Sequence, residues 1–417
     1  MTDRAALGLT VFWFGLTYLG LALGRLPGLR TDRAGVALVG AAGVLACGLL
    51  TFDAAVRAVD FATVALLLGM MLVVAHLRRA GFFARLAGLA LGQVRSPKGL
   101  LAATMLLSGG LSAVLVNDVV CVALAPLVLY LARRLGLDPR PHLVGLAVAS
   151  NLGSAATPTG NPQNMIVGGL SGISYLRFAA KLAPPAAIGL VIGYAVTLVA
   201  YRAALRAAPP GPAAGATGDR RPNGTRHARL LVKSLVVTAG AVAGFFAGFP
   251  MAVVALAAAA VLLLDRVKPA AVYAHIDWGL LVLFAGLFVV VQAFEVHALA
   301  GSGVEEVAAR GDPVWALSGL SAVLSNLVSN VPAVLLFKPV VGAMPAAAQE
   351  TAWLALAVSS TFAGNLTVLG SVANLIVVEQ ARREGVAVGF WHYCRVGIPV
   401  TLLTLPVGAT WLALVRY

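Results

Sequence analysis

Two short polar stretches interrupt a chain that is otherwise apolar. At Val116-Asn117-Asp118 an amide and a carboxylate stand between two hydrophobic runs. From Thr157 to Asn164 the sequence TPTGNPQN sets prolines, a glycine, hydroxyls and amides between the apolar segments that begin at Leu143 and Met165. If those segments cross a bilayer, irregular backbone at that depth is tolerated only when buried in protein or lining a wet cavity. The octet therefore points to a cavity. Asn161-Pro162 reads as an N-cap followed by Pro at the first helical position, which restarts a helix after the break. Asn117 begins a second helical limb, and so does Asn330, with Pro332 two residues on. Helix N-termini carry partial positive charge and free N–H groups. Converging ones can hold an anion or a neutral oxyacid without a buried Lys or Arg.

The elements that must position these groups follow from composition. Of 417 residues, 60% are hydrophobic and only 11% charged, and mean hydropathy is +0.92. A soluble domain carries roughly a quarter charged residues. The chain reads as an all-α polytopic membrane protein with room for about ten spans. The formal charge of +14 does not indicate nucleic acid, because the basic residues flank apolar spans and act as topology signals. Cys47, Cys121 and Cys394 are too far apart for a metal-ligand spacing or a disulfide framework. No metal or other cofactor is expected. The N-terminus lacks a positive n-region and a small-residue cleavage site, so it reads as a first span.

Residues 100–132 are apolar but flanked on both sides by basic residues: Arg95 and Lys98, then Arg133 and Arg134. Thirty-three residues are too few for two crossings and a turn, which need about 20 residues per span. The segment is read as a re-entrant hairpin with its tip at 116–118. A second hairpin is expected at 314–345, and broken helices at 142–170 and 351–378. With the N- and C-termini outside and the Pro-, Gly- and Arg-rich linker 205–229 in the cytoplasm, most of the 30 Lys and Arg residues fall inside. That places the chain in the inner (plasma) membrane.

The halves 1–204 and 230–417 resemble each other. LAVASNLGSAATPTGNPQNMIV (146–167) aligns without gaps to LAVSSTFAGNLTVLGSVANLIV (356–377), pairing Thr157 with Thr367, Gly160 with Gly370 and Asn164 with Asn374. Ser371, opposite Asn161, is expected to cap its helix. Five crossings per half make the repeat inverted, with the binding site at the repeat interface near the midplane. The candidate substrate-binding residues are Asn117, Thr157, Thr159, Gly160, Asn161, Asn164, Ser329, Asn330, Thr367, Gly370, Ser371 and Asn374. Asp118 is the one acid placed deep in the membrane, where a carboxylate is expensive and functional by default, as proton carrier or cation ligand. Lys338 is expected to snorkel to the outer surface. His76, Asp277, Glu295 and His297 are expected at the membrane interfaces.

There is no GxxxxGK[ST], HExxH or CxxC sequence, so ATP hydrolysis and membrane-embedded enzyme chemistry are not expected. At its motifs the chain resembles the ion transporter superfamily, from about residue 34 to 415. VNDVVCVALAP is similar to the Asn-Asp hairpin of arsenite permeases, and GSAATPTGNPQNMIV to the unwound-helix motif of the citrate and P-protein branches. FAGNLTVLGSVANLIVVEQ looks like the C-terminal repeat of bacterial anion or arsenic permeases. The resemblance implies a scaffold and a moving domain that carries both hairpins and both broken helices. In the divalent-anion symporters each tip reads Ser-Asn-Thr. The tips here, Val116-Asn117-Asp118 and Ser329-Asn330-Val331, favour proton coupling through Asp118. The expected function is secondary transport of a small anion or oxyacid. Arsenite export by H⁺ antiport leads, with Na⁺/H⁺ antiport and carboxylate symport as alternatives. The resemblance also leaves room for a homodimer and for a soluble ATPase partner.

Overall fold

The computed structural model describes residues 3–24, 30–91, 94, 96–206, 228–265, 268–299 and 313–415. Most of the linker 205–229 lies outside the described residues, as does Arg95. Among the described residues there is no strand. Six helices are long and apolar enough to cross a membrane.

The first half opens with α1 (Asp3–Leu23), α2 (Arg33–Ala46), the short α3 (Phe52–Ala58), α4 (Phe61–Arg79) and α5 (Phe82–Leu91). Then α6 (Pro97–Val114) and α7 (Asn117–Arg134) fold back on each other through Leu115 and Val116. The helix that follows is interrupted, as α8 (Arg140–Ser154) and α9 (Pro162–Ser171), before the long α10 (Tyr175–Ala200). The second half repeats this order. It runs through α11 (Ala228–Phe246), α12 (Met251–Leu263), the short α13 (Pro269–Tyr273) and α14 (Trp278–Phe294). A helix pair follows, α15 (Pro313–Val328) turning at Ser329 into α16 (Asn330–Leu336) and α17 (Lys338–Gly342). A second interrupted helix, α18 (Ala346–Ala363) and α19 (Val372–Arg383), leads to α20 (Phe390–Leu414).

The packing partners come in matched pairs. α6 lies on α8 as α15 lies on α18; α2 lies on α14 as α4 lies on α12; α10 lies on α20. Small residues allow the closest approaches. A Cβ on Gly69 of α4 would meet the Ala255 carbonyl carbon of α12 at 2.6 Å, and one on Gly286 of α14 would meet the Ala37 oxygen of α2 at 2.7 Å. Apolar lipid gives helices no hydrophobic reason to associate, so such backbone contacts supply the packing energy. Lys338 is half-buried and pairs with Glu295, just past the end of α14, at 3.4 Å.

Candidate functional site

The interrupted helices meet at their breaks, and each break is held by an asparagine. Asn161 stands at the N-cap of α9, and its Oδ1 accepts the Asn164 N–H at 2.9 Å. Asn164 Nδ2 donates back to the carbonyls of Ser154 (3.1 Å), Ala155 (3.4 Å) and Thr157 (3.0 Å). These belong to the end of α8 and the loop after it, where carbonyls lack helical partners. Asn374 does the same in the second half, donating to Gly364 O at 2.8 Å and Thr367 O at 3.1 Å. The threonine hydroxyls of the octet reach the end of α6: Thr157 donates to Ala113 O, and Thr159 to Val114 O at 3.3 Å. Gly160 must be glycine, because a Cβ there would overlap the Ser154 carbonyl.

Two further residues tie the halves together, and motif reading passed over both. Asn151 Oδ1 accepts from Asn117 Nδ2 (3.1 Å) and from the Ser371 hydroxyl (2.9 Å). Its Nδ2 donates to Asn365 Oδ1 (2.9 Å) and Asn374 Oδ1 (3.0 Å). Thr361 occupies the equivalent place in the other half. Its hydroxyl accepts from Asn161 Nδ2 (3.2 Å) and Gln163 Nε2 (3.1 Å). The only local signal for Asn151 was an amide in an apolar helix. Three of its four partners lie more than 200 positions away and cannot be read from spacing.

In front of this network lies a cavity of about 410 Å³. The tip residues Asn117, Asp118, Ser329 and Asn330 line it, with Gln163 and Ser371 behind them and Arg33 and Asp277 at its mouth. Of the candidates, Thr157, Thr159, Gly160, Asn161, Asn164, Thr367, Gly370 and Asn374 do not line it. The amides of Asn164 and Asn374 and the hydroxyl of Thr157 are spent on backbone carbonyls at and beside the breaks. Ser371 does not cap α19; its hydroxyl goes to Asn151 instead. No side chain caps α7 either. At the start of α7 the Asn117 N–H is taken by the Gly160 carbonyl at 2.9 Å, so of the two helix starts that of α19 is the one left open to the cavity. Asp277 is not merely interfacial: it is exposed at the mouth and caps α14 through Leu280 N at 2.9 Å.

At the helix-pair tips the cavity's uncommitted side-chain atoms are acceptors, and among the described residues the uncommitted donor is the Arg33 guanidinium on the opposite wall. Asp118 is half-buried and has no hydrogen bond or ion pair among the described residues. Asn117 is 3% exposed, and its Oδ1 is buried without a partner. Asn330, with its amide turned to suit its neighbours, donates to Gly370 O (3.2 Å) and accepts from Gln163 Nε2 (3.3 Å). No group of three or more His, Cys, Asp or Glu among the described residues could hold a metal ion.

Interrupted apolar helices around a polar cavity define the class: a secondary membrane transporter, not an enzyme. The sequence model of the citrate transporter family matches residues 18–363, and the chain belongs to that family. It is 31% identical to the silicon efflux transporter LSI3 of Oryza sativa subsp. japonica, over 95% of each chain. An uncharacterized transporter of Mycobacterium tuberculosis is also 31% identical, over 93% of this chain and 95% of that one. The transporter arsB of Dictyostelium discoideum is 24% identical, over 91% and 87%. The fold is that of the YdaH transporter of Alcanivorax borkumensis, at TM-score 0.57 and 18% identity, covering 98% and 97% of the two chains.

Proposed function

We propose that the protein exports a small uncharged oxyacid, with arsenite in its neutral form as the leading case, in exchange for protons carried on Asp118. The observation that carries this reading is the acceptor character of the tips where Asp118 and Asn117 face the cavity. A carboxylate and an orphaned amide oxygen both need donors. A neutral oxyacid brings hydroxyl donors to them and offers its oxygens to the N-terminus of α19. An oxyanion or dicarboxylate would set acceptors against acceptors beside Asp118. Protonated Asp118 loses acceptor capacity and gains a donor, so proton and oxyacid compete for the same place. Competition for one place is what an exchanger requires. Two relatives, named for silicon efflux and as arsB, are in keeping with such a substrate.

The same oxygens favour a second reading, in which Asp118 and Asn117 Oδ1 bind Na⁺ and the protein is a Na⁺/H⁺ antiporter. Purified protein in liposomes separates the two. Proton movement that depends on arsenite and not on Na⁺ is expected. Proton movement driven by Na⁺ alone would establish the second reading, and citrate-driven proton uptake would replace both with carboxylate symport.

We further infer that the halves form an inverted repeat and that both helix pairs enter the membrane without crossing it. The cavity mouth is lined by Gly24, Arg33 and Asp277, at the ends of α1, α2 and α14 that the charge pattern places in the cytoplasm. The structure is then the cytoplasm-open state of an alternating-access cycle.

A further inference from the structure

The matched halves are not packed alike at their two ends, and the difference assigns a partner to Arg33. Aligning RAGVALVGAAGVL (33–45) with MAVVALAAAAVLL (251–263) pairs Arg33 with Met251 and Ala37 with Ala255. Aligning DFATVALLLG (60–69) with DWGLLVLFAG (277–286) pairs Asp60 with Asp277, Thr63 with Leu280 and Gly69 with Gly286. The close approaches support both alignments, since Gly69 meets Ala255 where Gly286 meets Ala37. So do the caps: Asp60 accepts from Ala62 N and Thr63 N, and Asp277 from Leu280 N. Continuing the gapless pairing of the broken helices sets Gly168 opposite Val378 and Gly169 opposite Glu379.

At one end α9 is packed shut against the frame. A Cβ on Gly168 would meet the Met251 methyl at 3.1 Å, and one on Gly169 would overlap the Thr63 hydroxyl and meet Asp60 Oδ2 at 3.1 Å. At the other end the counterparts stand apart. Arg33, Asp277 and Leu280 line the cavity on one wall, and Ser371, Val372 and Leu375 of α19 line it on the other. Glu379 lies one helical turn past Leu375, on the same face of α19. Its carboxylate is held by its own helix, accepting from Arg382 Nε at 2.8 Å and Arg383 Nε at 2.9 Å. Arg33 has no hydrogen bond or ion pair among the described residues.

We propose that Arg33 and Glu379 are the cytoplasmic gate, pairing across the cavity mouth when the transporter turns its site outward. The inference rests on the inverted-repeat, alternating-access reading. Exchanging the roles of the halves brings α19 onto the starts of α2 and α14, as α9 now lies on α12 and α4. Val378 then meets Arg33, and Glu379 meets the N-terminus of α14. Small glycines and a methionine seal the closed end. The end now open carries side chains of opposite charge, a pair that water separates while the mouth is open and that attracts as the mouth dries. Arg33 and Asp277 line the same cavity, so the exchange also brings Glu379 up to the Asp277 carboxylate, and Arg33 is the cation that offsets the two. Arg382 and Arg383 release Glu379 as it turns inward.

Two measurements test the gate. Arg33→Glu and Glu379→Arg should each slow transport about fivefold, the worth of a partly exposed ion pair. Combining them should bring the rate back to near that of the unaltered protein. Separately, Arg33→Cys with Glu379→Cys, in a chain whose three native cysteines are replaced by alanine, should crosslink under mild oxidant. The halves should then stay joined after proteolysis within 205–229, and reduction should free them. The crosslink reads conformation and needs no substrate, so it stands even if the oxyacid reading fails. No crosslink together with no recovery in the charge-exchanged protein would overturn the gate.

Discussion

Ser329 holds a φ of 78° and a ψ of 158° at the turn between α15 and α16, a region that glycine alone enters freely. No other non-glycine residue among those described has a positive φ. Strain of this kind amounts to about 1–3 kcal/mol and persists where surrounding structure imposes it. Here it presents Ser329 and Asn330 to the cavity. Ser329→Gly should stabilise the folded protein by about 1 kcal/mol while slowing transport, as read by thermal unfolding in detergent and by flux in liposomes. A lower melting point would show that no strain is stored there. Asp118 makes the sharper test. Asp118→Asn keeps size and polarity but cannot titrate. Proton-driven export should vanish and its pH dependence flatten, while slow exchange of bound substrate persists. Export against a gradient with an unchanged pH profile would reduce Asp118 to an acid at a helix start. Asp118 and both tip asparagines were legible in the sequence because a polar pair between apolar limbs is a local pattern. Asp277 was not, because its place at the cavity mouth comes from packing between helices far apart in the chain.

At the scale of elements, the breaks are self-supporting. The restart at Asn161-Pro162 could be read directly, since a cap followed by Pro is a rule of a few residues. The polar octet could not be sorted by the same means into cavity wall and internal brace. An amide that binds ligand and one that satisfies a carbonyl look alike in sequence. In the structure Asn164 and Asn374 bond backbone carbonyls and do not line the cavity, so replacing them should have a different consequence from replacing a cavity residue. Asn164→Leu takes a donor from each of three buried carbonyls, leaving Ser154 O with Asn161 Nδ2 at 3.3 Å and Thr157 O with Gly160 N at 3.4 Å, at about 1–3 kcal/mol for a group left without a partner. The folded yield should fall sharply, as judged by size-exclusion chromatography. Asn117→Ala should leave a monodisperse protein that has lost substrate binding. If Asn164→Leu folds normally and fails only in transport, the octet contacts substrate in another state of the cycle. Gly160→Ala should behave like Asn164→Leu, since its Cβ overlaps the Ser154 carbonyl.

The whole molecule adds orientation, which decides the side from which the cavity fills. The charge of +14 is concentrated near the ends of spans on one face, and Lys and Arg near span ends are retained in the cytoplasm. On the proposed topology the mouth at Arg33 and Asp277 faces the cytoplasm, as the proposed exporter requires. It would then take up oxyacid from the cell interior before the proton gradient turns the site outward. The reversed orientation would open the same cavity to the outside and turn the reading into uptake. The linker 205–229 is the place to test this, because on the proposed topology it follows an odd number of crossings and is cytoplasmic with the mouth. A cysteine placed by Ala214→Cys in a chain without its native cysteines should resist a membrane-impermeant thiol reagent in intact cells and react once the cells are opened. Ready labelling of intact cells would invert the topology, set the cavity mouth outside and require the direction of transport to be reversed with it.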